Sequence, residues 1–185
     1  MKTSIRTSVT HGSNITLIED LLECPGNRLI ISAGYLTWFE DLPFNRILNC
    51  GVSIELVVGA WKQDTPALTE KRLLELKRNV KAFAGRVKQE ADEYGIQKPD
   101  VTTYLVPSWH AKVALMVDRD LNRVSGAVIG SSNISSRALG LTNSESNIEV
   151  DVLINDTDGP DAQVELNLLL LNLEPIFTKK FYVKF

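Results

Sequence analysis

The sequence predicts an α/β protein, a mixed central β-sheet flanked by helices, formed by residues 1–185 as a single domain. Three observations lead there. Apolar runs of strand length, rich in β-branched residues, alternate with segments whose apolar residues fall three or four apart. No linker or internal repeat divides the chain. A composition of 44% hydrophobic and 23% charged residues suits a packed core and excludes disordered or fibrous classes.

Ile15 to Leu22 has the spacing of a short helix, closed by the turn residues Cys24, Pro25, Gly26 and Asn27. Arg28 to Gly34 (RLIISAG) reads as a buried strand, Trp38 to Leu48 as a helix stopped by Cys50-Gly51, and Val52 to Gly59 (VSIELVVG) as the next strand. That succession implies a right-handed parallel crossover. The longest helix is expected from Pro66 to Tyr94, with Leu73, Leu76, Val80, Phe83, Val87 and Tyr94 on one side and Gly95 at its end. Its other side carries Lys71, Arg72, Lys77, Arg78, Lys81, Arg86 and Lys88. A solvated face is the commoner reason for such a run, and steering of a polyanion is the other. Val101 to Val106, Ala111 to Val117, Val124 to Ile129 and Ile148 to Ile154 are further strands, with Asp118 to Asn122 as a hairpin loop. Asp158-Gly159-Pro160 opens a last helix from Asp161 to about Leu171, and the tail TKKFYVKF fits an edge strand or a partner contact.

Charge and cysteine usage narrow the classes further. The 20 Lys and Arg against 23 Asp and Glu leave a net charge of −3, which allows a local basic groove but not a surface basic throughout. No apolar run approaches the roughly 20 residues of a membrane-spanning helix, and MKTSIRTSVTHGSNIT lacks a secretion signal, so a cytoplasmic protein without stable membrane association is expected. Cys24 and Cys50 are too far apart for a CxxC pair and are expected as buried thiols. Together with the two histidines they lack zinc-ligand spacing. There is no GxSxG elbow, Walker loop, GxGxxG or HExxH.

The histidines, His11 and His110, stand in different contexts. His11 lies in a Thr- and Ser-rich stretch with no clustered partner and reads as a surface residue. His110 opens the strand WHAKVALMVD, where Lys112, two residues on, shares its face. Downstream, Gly130-Ser131-Ser132-Asn133 follows a strand and precedes a helix start, ISSRALG. Backbone N–H groups and small polar side chains there can seat a phosphate, and the same residues equally make an ordinary capping turn. Lys112 and Glu149 can likewise be solvent-facing strand residues. Trp38, Trp61 and Trp109 are read as packing in or beside the core, with Trp109 also able to border a groove next to His110.

His110-Ala111-Lys112, Gly130-Ser131-Ser132-Asn133 and Glu149 in NIEVDVLI resemble the H-x-K, G-S-x-N and later acidic residue of the phospholipase D superfamily. RLIISAGYLTWF followed by GVSIELVVG looks like the opening strands of its nuclease and restriction-endonuclease branch, so the resemblance runs from Arg28 to Ile154. The family's frequent aspartate five residues after the lysine is replaced by Val117, with Asp118 one place later.

The resemblance implies a phospholipase D-like α-β-α sandwich and a phosphodiesterase that needs no metal or cofactor. Because the motif occurs once, it also implies a homodimer in which two motifs meet across the axis. His110 would attack phosphorus to give a phosphohistidine while the second copy's histidine protonates the leaving oxygen. Lys112 and Asn133 would hold the non-bridging oxygens, Ser131 would support the loop or the phosphate, and Glu149 would orient His110. The nuclease branch points to DNA as substrate. Two other readings keep the same residues: a phosphodiesterase for phospholipid headgroups, and a catalytically silent nucleic-acid-binding or assembly module.

Overall fold

The computed structural model describes residues 4–7, 15–37, 39, 42–60, 66–97, 99–107, 109–131, 150–178 and 182–183. Their strands are β1 (Ser4–Thr7), β2 (Arg28–Ala33), β3 (Ser53–Ala60), β4 (Val101–Pro107), β5 (Val113–Asp118), β6 (Arg123–Gly130), β7 (Val150–Asn155) and β8 (Tyr182–Val183). The helices are α1 (Ile15–Leu21), α2 (Phe44–Asn49), α3 (Pro66–Glu93) and α4 (Pro160–Thr178). Among the described residues the strands form one sheet of eight, ordered β1-β7-β6-β5-β2-β3-β4-β8. β2, β3 and β4 run parallel, and every other pairing is antiparallel. The sheet is therefore mixed, as the sequence predicts.

Alternation along each strand divides the core into two faces. Leu29, Ile31, Leu56, Val58, Ala114, Met116 and Val128 pack under α1, α2 and α3 through Leu17, Leu21, Ile47, Val80, Phe83 and Val87. Ile30, Val57, Leu115, Val117, Val124 and Ala127 pack under α4 through Leu166, Leu170 and Leu173. Helices on both faces make the α-β-α sandwich. The tail's Tyr182–Val183 adds an edge strand to β4, one of the two roles its sequence fits.

Several boundaries differ from the sequence reading, each for a local reason. The helix expected from Trp38 to Leu48 is only Phe44–Asn49, because Pro43, with φ −76° and ψ 61°, stands at its N-cap. β1 arises in a polar stretch with no strand pattern of its own and depends on pairing with β7. Tyr94 is exposed, and Ala91 takes the buried place at the end of the long helix. α4 runs past Leu171 to Thr178 because Leu173 continues its buried stripe. The cysteines are not buried thiols: Cys50 sits exposed at the C-cap of α2, and Cys24 is half-buried with its Sγ donating to Asn155 Oδ1 at 3.0 Å.

The register brings the functional segments to one edge. β2, β3 and β4 end there at Ala33, Ala60 and Pro107, while Ser32 pairs with Val113 at the start of β5. Val113 pairs with Ile129 near the end of β6, and Gly130 pairs with Asp151 near the start of β7. Ligands of α/β sheets bind at such a carboxyl edge, where the strand order departs from the sequence order.

Candidate functional site

His110 and Lys112 stand just before β5, not within it as the sequence reading has them, since the ladder begins at Val113. Their side chains still meet. Lys112 Nζ lies 2.8 Å from His110 Nδ1 and 2.9 Å from Nε2, and donates to the His110 carbonyl oxygen at 2.9 Å. The exposed imidazole and the ammonium thus form one cluster at the sheet edge.

Long-range contacts fix this segment. Trp109 Nε1 donates to Ser32 Oγ at 2.6 Å, and Ser32 Oγ donates to the Ala111 carbonyl at 3.0 Å. The buried Ser32 at the end of β2 therefore clamps the residues on either side of His110. Trp109 is half-buried against the α4-side core, as its sequence context suggests. The Trp109 carbonyl lies so close to Gly59 that a Cβ there would overlap its oxygen, and it would also stand 3.2 Å from the Gly34 carbonyl. Ser32 and Gly59 are positioning residues that sequence reasoning misses; their only signal is small residues at the ends of two apolar strands.

The Gly-Ser turn sits beside this cluster. Gly130 N donates to the Lys112 carbonyl at 3.2 Å, extending the β5–β6 ladder past its regular end. Ser131 N donates to the Val150 carbonyl at 3.1 Å, and Ser131 Oγ accepts from Val150 N at 3.0 Å. Ser131 thus supports the loop, and its own hydroxyl proton is not used in that pair. A Cβ on Gly130 would stand 2.5 Å from the Val150 carbonyl and would overlap the Asp151 carboxylate. Asp151, buried beside the turn, is a second residue the sequence reading passes over. Its spacing of two from Glu149 is the signal available.

Of the sequence-derived site residues, the structure brings together His110, Lys112 and Ser131. Asn133 and Glu149 lie outside the described residues, as do His11, Trp38 and Trp61. Asp118 is at the other end of β5, where its Oδ1 accepts from Asp120 N and Leu121 N at 3.0 and 3.1 Å. It caps the β5–β6 hairpin and is absent from the site. Val117, at the position of the family aspartate, is buried in the core.

Among the described residues no group of three or more His, Cys, Asp and Glu side chains is placed to hold a metal ion. No described helix is long and apolar enough to cross a membrane. Away from the site, burial and then the charges of Asp156, Asp20 and Glu23 push the Cys24 thiol up to about 11. Burial and Glu23 also raise Cys50, against Arg46.

Solved structures resemble the chain over its whole length. Nuc from Salmonella typhimurium, a phospholipase D family member, superposes with a TM-score of 0.56 at 12% identity, over 100% of this chain and 99% of its own. Phosphatidylserine synthase from Haemophilus influenzae Rd KW20 gives a TM-score of 0.60 at 15% identity, over 99% of this chain and 40% of its own. The chain has the phospholipase D superfamily fold. No protein-family model and no curated protein matches it in sequence.

Proposed function

We propose that the chain is a phosphodiesterase acting on DNA, an endonuclease that works through a covalent phosphohistidine without metal or cofactor, within a single catalytic domain. The observation that carries this reading is the His110–Lys112 cluster held beside Gly130 and Ser131 at the carboxyl edge of the sheet. Phosphoryl transfer needs a nucleophile, a proton donor for the leaving oxygen and positive charge at the non-bridging oxygens.

In the proposed first step a ring nitrogen of His110 bonds to phosphorus as the bond to the leaving oxygen breaks. His110 of the partner subunit gives that oxygen its proton. The same histidine then takes a proton from water, whose oxygen displaces His110 from phosphorus and restores both imidazoles. Lys112 and Asn133 of both copies neutralise and bind the non-bridging oxygens, and Ser131 holds the turn. Glu149 accepts the second N–H of His110 and supports its imidazolium. Among the described residues one chain supplies one histidine to this edge, so the proposed mechanism calls for a homodimer.

The test is cleavage of plasmid and single-stranded DNA in excess EDTA by the wild type and by His110→Ala. Cutting that persists in chelator and vanishes in the variant is the expected result. A wild type that cuts neither substrate between mildly acidic and neutral pH sinks the reading. The likeness to phosphatidylserine synthase favours a second reading, transfer or hydrolysis at a phospholipid headgroup, and vesicle substrates separate the two. DNA binding without turnover on any substrate would instead indicate the silent module.

A further inference from the structure

Next to the His110 segment a narrow cleft opens between the end of β2 and the start of α3. Gly34, Tyr35, Leu36, Thr37 and Gly59 line one side, and Arg72, Glu75, Leu76 and Asn79 line the other. The cleft has a volume of about 40 Å³. Gly59 joins the cleft to the site, because the Trp109 carbonyl that precedes His110 rests against it.

The walls suit a flat, uncharged ring. Tyr35 is 37% exposed although it is a large aromatic. The Arg72 guanidinium lies over the Tyr35 ring with its carbon 5.9 Å from the centroid. A planar group stacked on both would need them roughly 7–8 Å apart, twice the contact distance, so Arg72 has to withdraw by about 1–2 Å. Its side chain is 47% exposed and can do so. Glu75 Oε2 accepts from Arg72 Nη1 at 3.1 Å, so the guanidinium's charge is locally balanced and a carboxylate faces the cleft. That balance disfavours a phosphate there and favours a ring carrying N–H donors. Asn79 Nδ2 donates to the Leu36 carbonyl at 2.8 Å and holds the wall in place.

We propose that the Tyr35–Arg72 slot seats an unpaired nucleobase flanking the scissile phosphate, which makes single-stranded nucleic acid the preferred substrate class; this rests on the phosphodiesterase reading of His110. A paired base is stacked within its duplex and cannot enter. Beyond the slot, α3 turns Lys71, Lys77, Arg78, Lys81 and Lys88 to solvent, a face along which the rest of a strand can lie.

Wild type, Tyr35→Ala and Tyr35→Phe are compared on a single-stranded oligodeoxynucleotide, its duplex, and a strand of the same length built of abasic residues. Tyr35→Ala lowers kcat/KM on the base-bearing strand by about tenfold to a hundredfold, chiefly through KM, as loss of one stacked base does. It leaves abasic cleavage unchanged, and Tyr35→Phe retains the wild-type preference. Equal effects of Tyr35→Ala on base-bearing and abasic strands, or none on either, overturn the slot while leaving the catalytic reading intact. A wild type that favours the duplex also overturns the slot. A wild type that cuts none of the three overturns both.

Discussion

Gly59 is the residue on which the geometry of His110 most depends, though it bears no functional group. A methyl at that position overlaps the Trp109 carbonyl oxygen, so Gly59→Ala must move the backbone next to the proposed nucleophile. Overpacking of this kind costs about 1–3 kcal/mol, and the displaced imidazole should lose most of the proposed DNA-cutting activity. A urea melt beside a cleavage assay measures both, and a variant with wild-type activity refutes the positioning role. Ser32→Ala tests the same clamp from the other side: it leaves the Trp109 indole N–H without its acceptor, at a cost of about 1–3 kcal/mol. Cys24 gives a pH signature distant from the site. Its folded pKa of about 11 stands above the ordinary 9.0, so the stability it contributes is complete below pH 9 and is lost as the pH rises from 9 towards 11. Urea melts across that window should converge in Cys24→Ala relative to wild type, and parallel profiles would contradict the assigned burial.

At the scale of elements, α4 is tied to the sheet by side chains that complete a strand's backbone bonding. The register of β5 and β6 shifts between Met116 and Val117, and Ser125 is the extra residue, its Oγ donating to the Met116 carbonyl at 3.3 Å. Next to this bulge Val124 N donates to Asn167 Oδ1 at 3.0 Å, and the Val124 carbonyl accepts from Gln163 Nε2 at 3.0 Å. Asn167→Ala orphans a buried N–H and should cost about 1–3 kcal/mol, whereas Gln163→Ala leaves only an acceptor unmet and should cost less. Chemical denaturation ranks the two, and a reversed order would contradict this assignment. Such ties also explain which elements were legible from sequence. Strands β2, β3, β5 and β6 announce themselves by apolar β-branched runs, and α3 by its period. β1 has no such pattern, because its stability lies in pairing with β7, far along the chain. The helix before Cys50 is shorter than its sequence suggests because apolar residues spaced from Trp38 onward match a helical period that Pro43 interrupts.

For the whole molecule, the motif residues His110, Lys112 and Ser131 were legible because their chemistry is carried by residue type and spacing. What holds them was not, because Ser32 and Gly59 reach the site only through the pairing of β2 with β5 and of β3 with β2. The same fold-level logic governs the proposed assembly. Among the described residues one chain brings a single histidine to the carboxyl edge, and the proposed reaction uses two, one as nucleophile and one as proton donor. If two copies share one site about a twofold axis, a dimer containing one His110→Ala subunit lacks a necessary group and is inactive. Activity in exchanged mixtures then follows the square of the wild-type fraction, about a quarter at equal mixing, against about a half if each chain works alone. Sedimentation of the wild type at micromolar concentration should give twice the monomer mass. A linear decline in the mixing series, or sedimentation as monomer alone, removes the shared site. The proton donor would then have to come from the same chain, and Lys112, with its Nζ 2.8 and 2.9 Å from the two ring nitrogens of His110, stands in place for it.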